Sequence, residues 1–186
     1  MPLWKHFPIL VICLFIAACS SMGAKRDPLR TVEKVDLERF AGDWYVIANI
    51  PYFAEKGDVG GRVNYRPRPD GRFDDEYYYK KKNFDGPEKR AKGIAWILDE
   101  NNTHWRSRFI WPFTFDFYII GLDDDYQTLA LGHPSRKYGW IMARTSKISK
   151  ERYQDWLSKF TENGYHREQF FKVPQSPDDL GKEGFQ

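Results

Sequence analysis

Few residues in this chain have the type and spacing for covalent or metal chemistry. Its 186 residues include two cysteines, Cys13 and Cys19, and four histidines, His6, His104, His133 and His166. Those histidines are too scattered to form a ligand set by spacing, and each reads as a surface or turn residue. His133 and Ser135 are neighbours, but no nearby acid orients them as a nucleophile and its base. Asp74, Asp75 and Glu76 lie together on one predicted strand and read as a solvated hairpin. The stretch Gly57-Asp58-Val59-Gly60-Gly61 lacks the lysine and the strand-to-helix setting of a phosphate loop. The sequence therefore predicts no catalytic residue, no metal and no cofactor: a binder, not an enzyme.

What the chain does have is aromatic surface. It carries 14 Phe, 11 Tyr and 7 Trp, 17% of its residues, which favours an apolar cavity over a watery one. Tyr52, Phe53, Phe84, Trp111, Pro112 and Phe113 fall in predicted connections, where polar residues are the norm. They predict either an apolar mouth or a set of rings folded down over the core. Tyr78, Trp96, Phe117, Tyr118 and Trp140 are the candidate pocket walls within strands. Strand alternation lets only one of Phe117 and Tyr118 face inward, and at most two of Tyr77, Tyr78 and Tyr79. Near the same loops lie Lys80, Lys81, Lys82, Lys89, Arg90, Lys92, Arg136 and Lys137, read either as a collar for an anionic head group or as a solvated face. A net charge of +3 is too small for a nucleic-acid partner.

Eight strand-like runs must position these rings, at 43–51, 59–66, 72–82, 89–98, 104–110, 115–122, 126–132 and 138–144. Short turns such as Pro69-Asp70-Gly71 join them, as in antiparallel hairpins. Eight such strands can close around one small ligand. Asp36 predicts the cap of one helical turn before the first run. After Arg144 the period changes. Tyr153, Trp156, Leu157 and Phe160 recur at helical spacing, with Ser149 as N-cap and Gly164 as stop. Residues 166–173 predict one more edge strand, and 176–186 a loose polar tail. By parity, the loops after the first, third, fifth and seventh strands gather at one rim, while Arg144 comes down beside Trp44 at the other.

The N-terminus carries an address. Lys5 and an apolar run from Phe7 to Ala18, too short to span a bilayer, lead to Ile16-Ala17-Ala18-Cys19. This is similar to a bacterial lipoprotein signal, which would make Cys19 an acylated first residue; the alternative is an ordinary secretory signal cut near Ala18.

Gly42 and Trp44, then Asp125 and Tyr126, then Arg144, in this order along the strand runs, resemble the lipocalins, specifically the bacterial outer-membrane lipoprotein group related to apolipoprotein D. The resemblance implies an all-β, eight-stranded up-and-down antiparallel barrel with a C-terminal α-helix packed outside. It implies a signal peptide over 1–18, a lipidated tether over 19–34, a lipocalin domain over 35–175 and the tail over 176–186. It further implies transport or storage of fatty acids (palmitate among them), lysophospholipids or similar amphiphiles, at the outer membrane and facing the periplasm. The partners would be one such ligand and the membrane, through the anchor; a homodimer is compatible with the sequence. Two rival expectations are a haem or tetrapyrrole carrier using His104 or His133, and a barrel filled by its own rings that serves as an envelope docking module.

Overall fold

A computed structural model describes residues 26–186; Cys13, Cys19 and the leader lie outside the described residues. One helical turn, α1 (Leu37–Phe40), precedes eight strands: β1 (Gly42–Ile50), β2 (Asp58–Pro67), β3 (Phe73–Lys81), β4 (Lys89–Ile97), β5 (His104–Ile110), β6 (Phe113–Leu122), β7 (Thr128–Gly132) and β8 (Gly139–Ala143). Then come α2 (Lys150–Glu162) and a two-residue strand, β9 (Phe171–Lys172). Each strand pairs antiparallel with the next, and β1 pairs with both β2 and β8, so the sheet closes into a barrel.

Alternation along the strands sorts the side chains into two cores. Trp44, Val63, Tyr65, Phe73, Ala95, Trp105, Phe117, Leu131 and Trp140 face inward. Ile47, Ile120, Ala130 and Ile141 face outward and pack under Tyr153, Trp156, Leu157 and Phe160 of α2. Each such buried ring or aliphatic chain contributes about 1.5–3 kcal/mol. The helix sits close because two strand positions beneath it are glycine: a Cβ on Gly121 would stand 2.8 Å from Trp156, and one on Gly139 the same distance from Phe160. Ser149 Oγ caps α2 by accepting from the Arg152 amide.

Four local expectations shift. The β5–β6 link is tighter than predicted, only Trp111-Pro112, because Ile110 already pairs with Phe113. Strand β7 starts at Thr128 instead of 126, since Asp123 Oδ1 accepts from the Gln127 and Thr128 amides and bends that stretch into a turn. Of 166–173 only β9 is a strand, after a turn of 3-10 helix at Arg167–Gln169. The tail is not loose. Its polar groups find partners: the Gln186 backbone amide donates to the Lys172 carbonyl, and Gln186 Nε2 to the Asn49 side-chain oxygen Oδ1.

These last elements fill a gap. Near one rim β2 parts from β1, and β9 takes its place beside Ala48 and Asn49. Gln175 Nε2 then spans the gap by donating to the carbonyls of Val46 and Gly61. On the other flank, residues 26–35 form a strap along the outer wall. Arg26 donates to the Ser135 carbonyl and Arg136 to that of Asp27; further down, the Val32 amide meets Ile119 and the Val35 amide meets Asn101. The strap thus descends from the β7–β8 loop to the β4–β5 turn, at the opposite end.

Candidate ligand-binding site

One end of the barrel is sealed. Trp44 Nε1 donates to the Phe40 carbonyl at 2.8 Å. Phe40, Tyr65, Phe73 and Trp105 form a ring cluster with centroids 4.8–5.7 Å apart. Arg144 closes it from below, its Nη2 donating to the carbonyls of Arg39, Phe40 and Ala41 and its Nη1 to that of Asp43. Gly42 makes the turn into β1 at φ 103°, a conformation side chains disfavour. Tyr126 belongs to this end: its hydroxyl accepts from the Asp36 amide and its ring lies under Arg39. Asp125 is exposed there, and the turn is organised by Asp123.

The other end is different. Inward-facing Tyr77 and Tyr79 on β3 stack at 5.0 Å, as do Phe109 and Phe115 on β5 and β6 at 6.2 Å. All four are only partly buried, whereas Trp105 and Phe117 below them are at most 2% exposed. The upper half of the interior is therefore lined by rings that stay partly accessible toward the rim. Trp140 and Phe117 face into the barrel. Tyr52 lies at the mouth between Phe53 and Tyr138. Phe53, Ile110, Trp111 and Phe113 stand out from the rim at 88, 71, 78 and 75% exposure, so these side chains are not folded down over the core.

Three expected wall residues lie outside. Tyr78 is covered by Arg62 and donates to Glu76 on the outer surface. Trp96 lies between inward Ala95 and Ile97 and faces Arg108. Tyr118 stacks on His104 and packs with the outer core. The strand period of two decides this, with Tyr77, Tyr79, Phe109 and Phe115 taking the inner positions. His104 is outward as well, within 3.2 Å of Asp116, and His133 is bound to Ser135 within its own turn. Neither histidine points at the interior, so the haem reading loses the two ligands it named.

The interior also holds acids that sequence reasoning left out. Asp75, expected on a solvated hairpin, is 3% exposed and faces inward between Phe73 and Tyr77. Burial pushes its pKa up to about 7, offset in part by Ser107. The signal was present: Phe73-x-Asp75-x-Tyr77 places Asp75 on the apolar face. Glu55, in the β1–β2 loop, accepts from Asn49 Nδ2 at 2.9 Å and from Trp140 Nε1 at 3.1 Å. Its pKa is also pushed up to about 7, by burial first. Asp58 is raised by burial, against the pull of Lys81 at 2.5 Å. Of the proposed collar, Lys80 donates to the Phe84 carbonyl, Lys81 is held by Asp58 and the Ala54 carbonyl, and Arg90 lies 3.6 Å from Glu76.

A family model described as a lipocalin-like domain matches residues 35–175. The chain belongs to the lipocalins. Temperature-induced lipocalin-1 of Arabidopsis thaliana is 30% identical to it over 162 residues, covering 82% of this chain and 86% of that protein. Outer membrane lipoprotein Blc of Escherichia coli K12 is also 30% identical, covering 86% of this chain and 90% of its own. Insecticyanin of the tobacco hornworm shares the fold at a TM-score of 0.64 and 16% identity, covering 87% of this lipocalin and 89% of its own chain. Lobster apocrustacyanin A1 does so at 0.61 and 15%, over 76 and 80%. Lipocalins are in general carriers of small hydrophobic ligands rather than enzymes, and this one is a binder of that class. Among the described residues no helix is long and apolar enough to cross a membrane.

Proposed function

We propose that this lipocalin carries amphiphilic lipids, fatty acids and lysophospholipids among them, in the recess above the Phe117–Trp105 floor, with no catalytic turnover. The observation that carries the reading is the contrast within one barrel between a sealed, fully buried end and an aromatic end that stays partly accessible. Burying an acyl chain there gains about 0.8 kcal/mol per methylene.

The same reading makes the protein an outer-membrane lipoprotein anchored through acylated Cys19, on the periplasmic side, that stores or moves envelope lipids under stress. Two features support it: relatives are named outer membrane lipoprotein, and the strap brings Arg26 to the mouth rim. The apolar rim residues, Phe53, Ile110, Trp111 and Phe113, then stand on the side from which the anchor comes. The test is titration of the protein with a fluorescent fatty acid, read by tryptophan quenching and by displacement with unlabelled lysophospholipid. Saturable quenching with competition is expected. No binding of either lipid would overturn the carrier reading and favour the docking module.

A further inference from the structure

The floor of the recess is not apolar. Asp75 sits directly across from Tyr65 on β2 and from Gly93 on β4. Ser107 Oγ, on β5, donates to Asp75 Oδ2 at 2.5 Å. The three side chains Asp75, Ser107 and Tyr65 are 3, 0 and 3% exposed. Beneath them the rings of Phe73 and Trp105, 4.8 Å apart, close the barrel.

We propose that the recess takes an amphiphile whose leading end carries a hydrogen-bond donor, a hydroxyl or an ammonium, and that Asp75 and Ser107 receive it. The proposal rests on the carrier reading above and names the chemistry of its ligand. Among the described residues, Ser107 is the one hydrogen-bond partner of the Asp75 carboxyl, and its other oxygen makes no hydrogen bond within the protein. An alkyl terminus pushed against that oxygen shuts water away from it without supplying a hydrogen bond, which costs free energy. A hydroxyl or ammonium removes it.

Charge points the same way. Glu55, Asp58 and Asp75 all border the interior. Lys81, which follows Tyr77 and Tyr79 on the inward side of β3, is already held by Asp58. Above neutral pH, where Asp75 is ionised, a ligand carboxylate driven to the floor would meet it with no cation to offset it. A fatty acid can therefore enter only tail first, with its methyl end on a polar floor, and is the poorer ligand. An apolar chain or ring system with a hydroxyl at the far end satisfies both the rings and the carboxyl. A site built around a hydrogen bond discriminates against analogues that lack it more sharply than an apolar wall does.

The experiment titrates the full-length protein above neutral pH, where Asp75 is ionised, by tryptophan fluorescence, with 1-decanol, decylammonium, decyl methyl ether and decanoate. The alcohol and the ammonium are expected to bind at least tenfold tighter than the ether and the carboxylate. Asp75→Asn should abolish the preference for ammonium while keeping that for the alcohol, and Ser107→Ala should weaken the alcohol several-fold. Near-UV circular dichroism checks folding, and Ser107→Ala carries the test if Asp75→Asn does not fold. Equal binding of all four probes, or a ranking that neither variant changes, would overturn the proposal while leaving the carrier reading intact. Failure of all four to bind would remove both.

Discussion

The central carbon of the Arg144 guanidinium stands 3.7 Å from the centre of the Trp44 indole, while its nitrogens reach the carbonyls of Arg39, Phe40 and Ala41. One side chain therefore satisfies the free end of α1 and seals the barrel beneath an aromatic floor. Replacing it by Ala strands several carbonyls and removes the cation over the ring. Arg144→Ala should cost about 2–3 kcal/mol, read as a lower urea midpoint, and Arg144→Lys should recover less than half. A midpoint unchanged in the alanine variant would show that the plug is ornamental.

Asp75 and Glu55 set the response to pH. Both have folded-state pKa values of about 7, above ordinary values of 3.8 and 4.5. Between those limits the folded chain holds more protons than the unfolded chain, so stability falls as pH rises from about 4 and levels off above about 7. For Asp75 the loss is on the order of 4 kcal/mol. Denaturation at pH 5 and pH 8 should show the decline, and Asp75→Asn should flatten it. The same slope in wild type and variant would remove Asp75 as its source.

The register of β3, β4 and β6 separates walls from surface. Phe115→Ala should weaken binding of a fluorescent fatty acid about tenfold, by removing an inward ring at roughly 1.4 kcal/mol or more. Trp96→Ala and Tyr118→Ala should leave the affinity within twofold, since both rings lie outside. Loss of binding in the outer variants, with Phe115→Ala unaffected, would reverse the assignment.

Lys81 and Asp58 form the mouth's charge pair at 2.5 Å, with Asp58 at 1% exposure. Lys81→Gln leaves that carboxylate without its cation and should destabilise the fold by about 1–3 kcal/mol. Lys82→Gln, at an exposed position, should change thermal stability little. An equal effect of the two would put Lys81 among the solvated lysines.

At the rim, Phe53, Trp111 and Phe113 are exposed, so replacing all three by Ser should hardly alter the unfolding temperature. The replacement should, however, lower partition of non-acylated protein into phosphatidylglycerol-containing vesicles severalfold, measured by co-sedimentation. Unchanged partition would assign these rings another role.

The eight strands, the outer helix and the plug were legible because each leaves a local mark: alternation, a 3.6-residue period, a glycine before Trp44. Which ring in Tyr77-Tyr78-Tyr79 looks inward was not, because a shift of one residue inverts a whole strand and only cross-strand pairing fixes it. Asp75 was misread because three acids in a row suggest water, whereas the strand period buries the middle one beside Ser107. Glu55 was invisible, since its partners Asn49 and Trp140 are brought to it by the fold of a loop. The strap and the ordered tail escaped for a related reason: a polar segment can bind backbone carbonyls without any apolar pattern to announce it.

The stitch that Gln175 makes across β1 and β2 joins residues 129 apart in sequence to the Val46 carbonyl. Contacts of such long separation form late, because loop entropy must first be overcome. Until that contact forms, the edges of β1 and β2 lie bare near the mouth. That is the interval in which the molecule is most exposed to strand-to-strand aggregation, and a bound lipid that favours the laced form would shorten it.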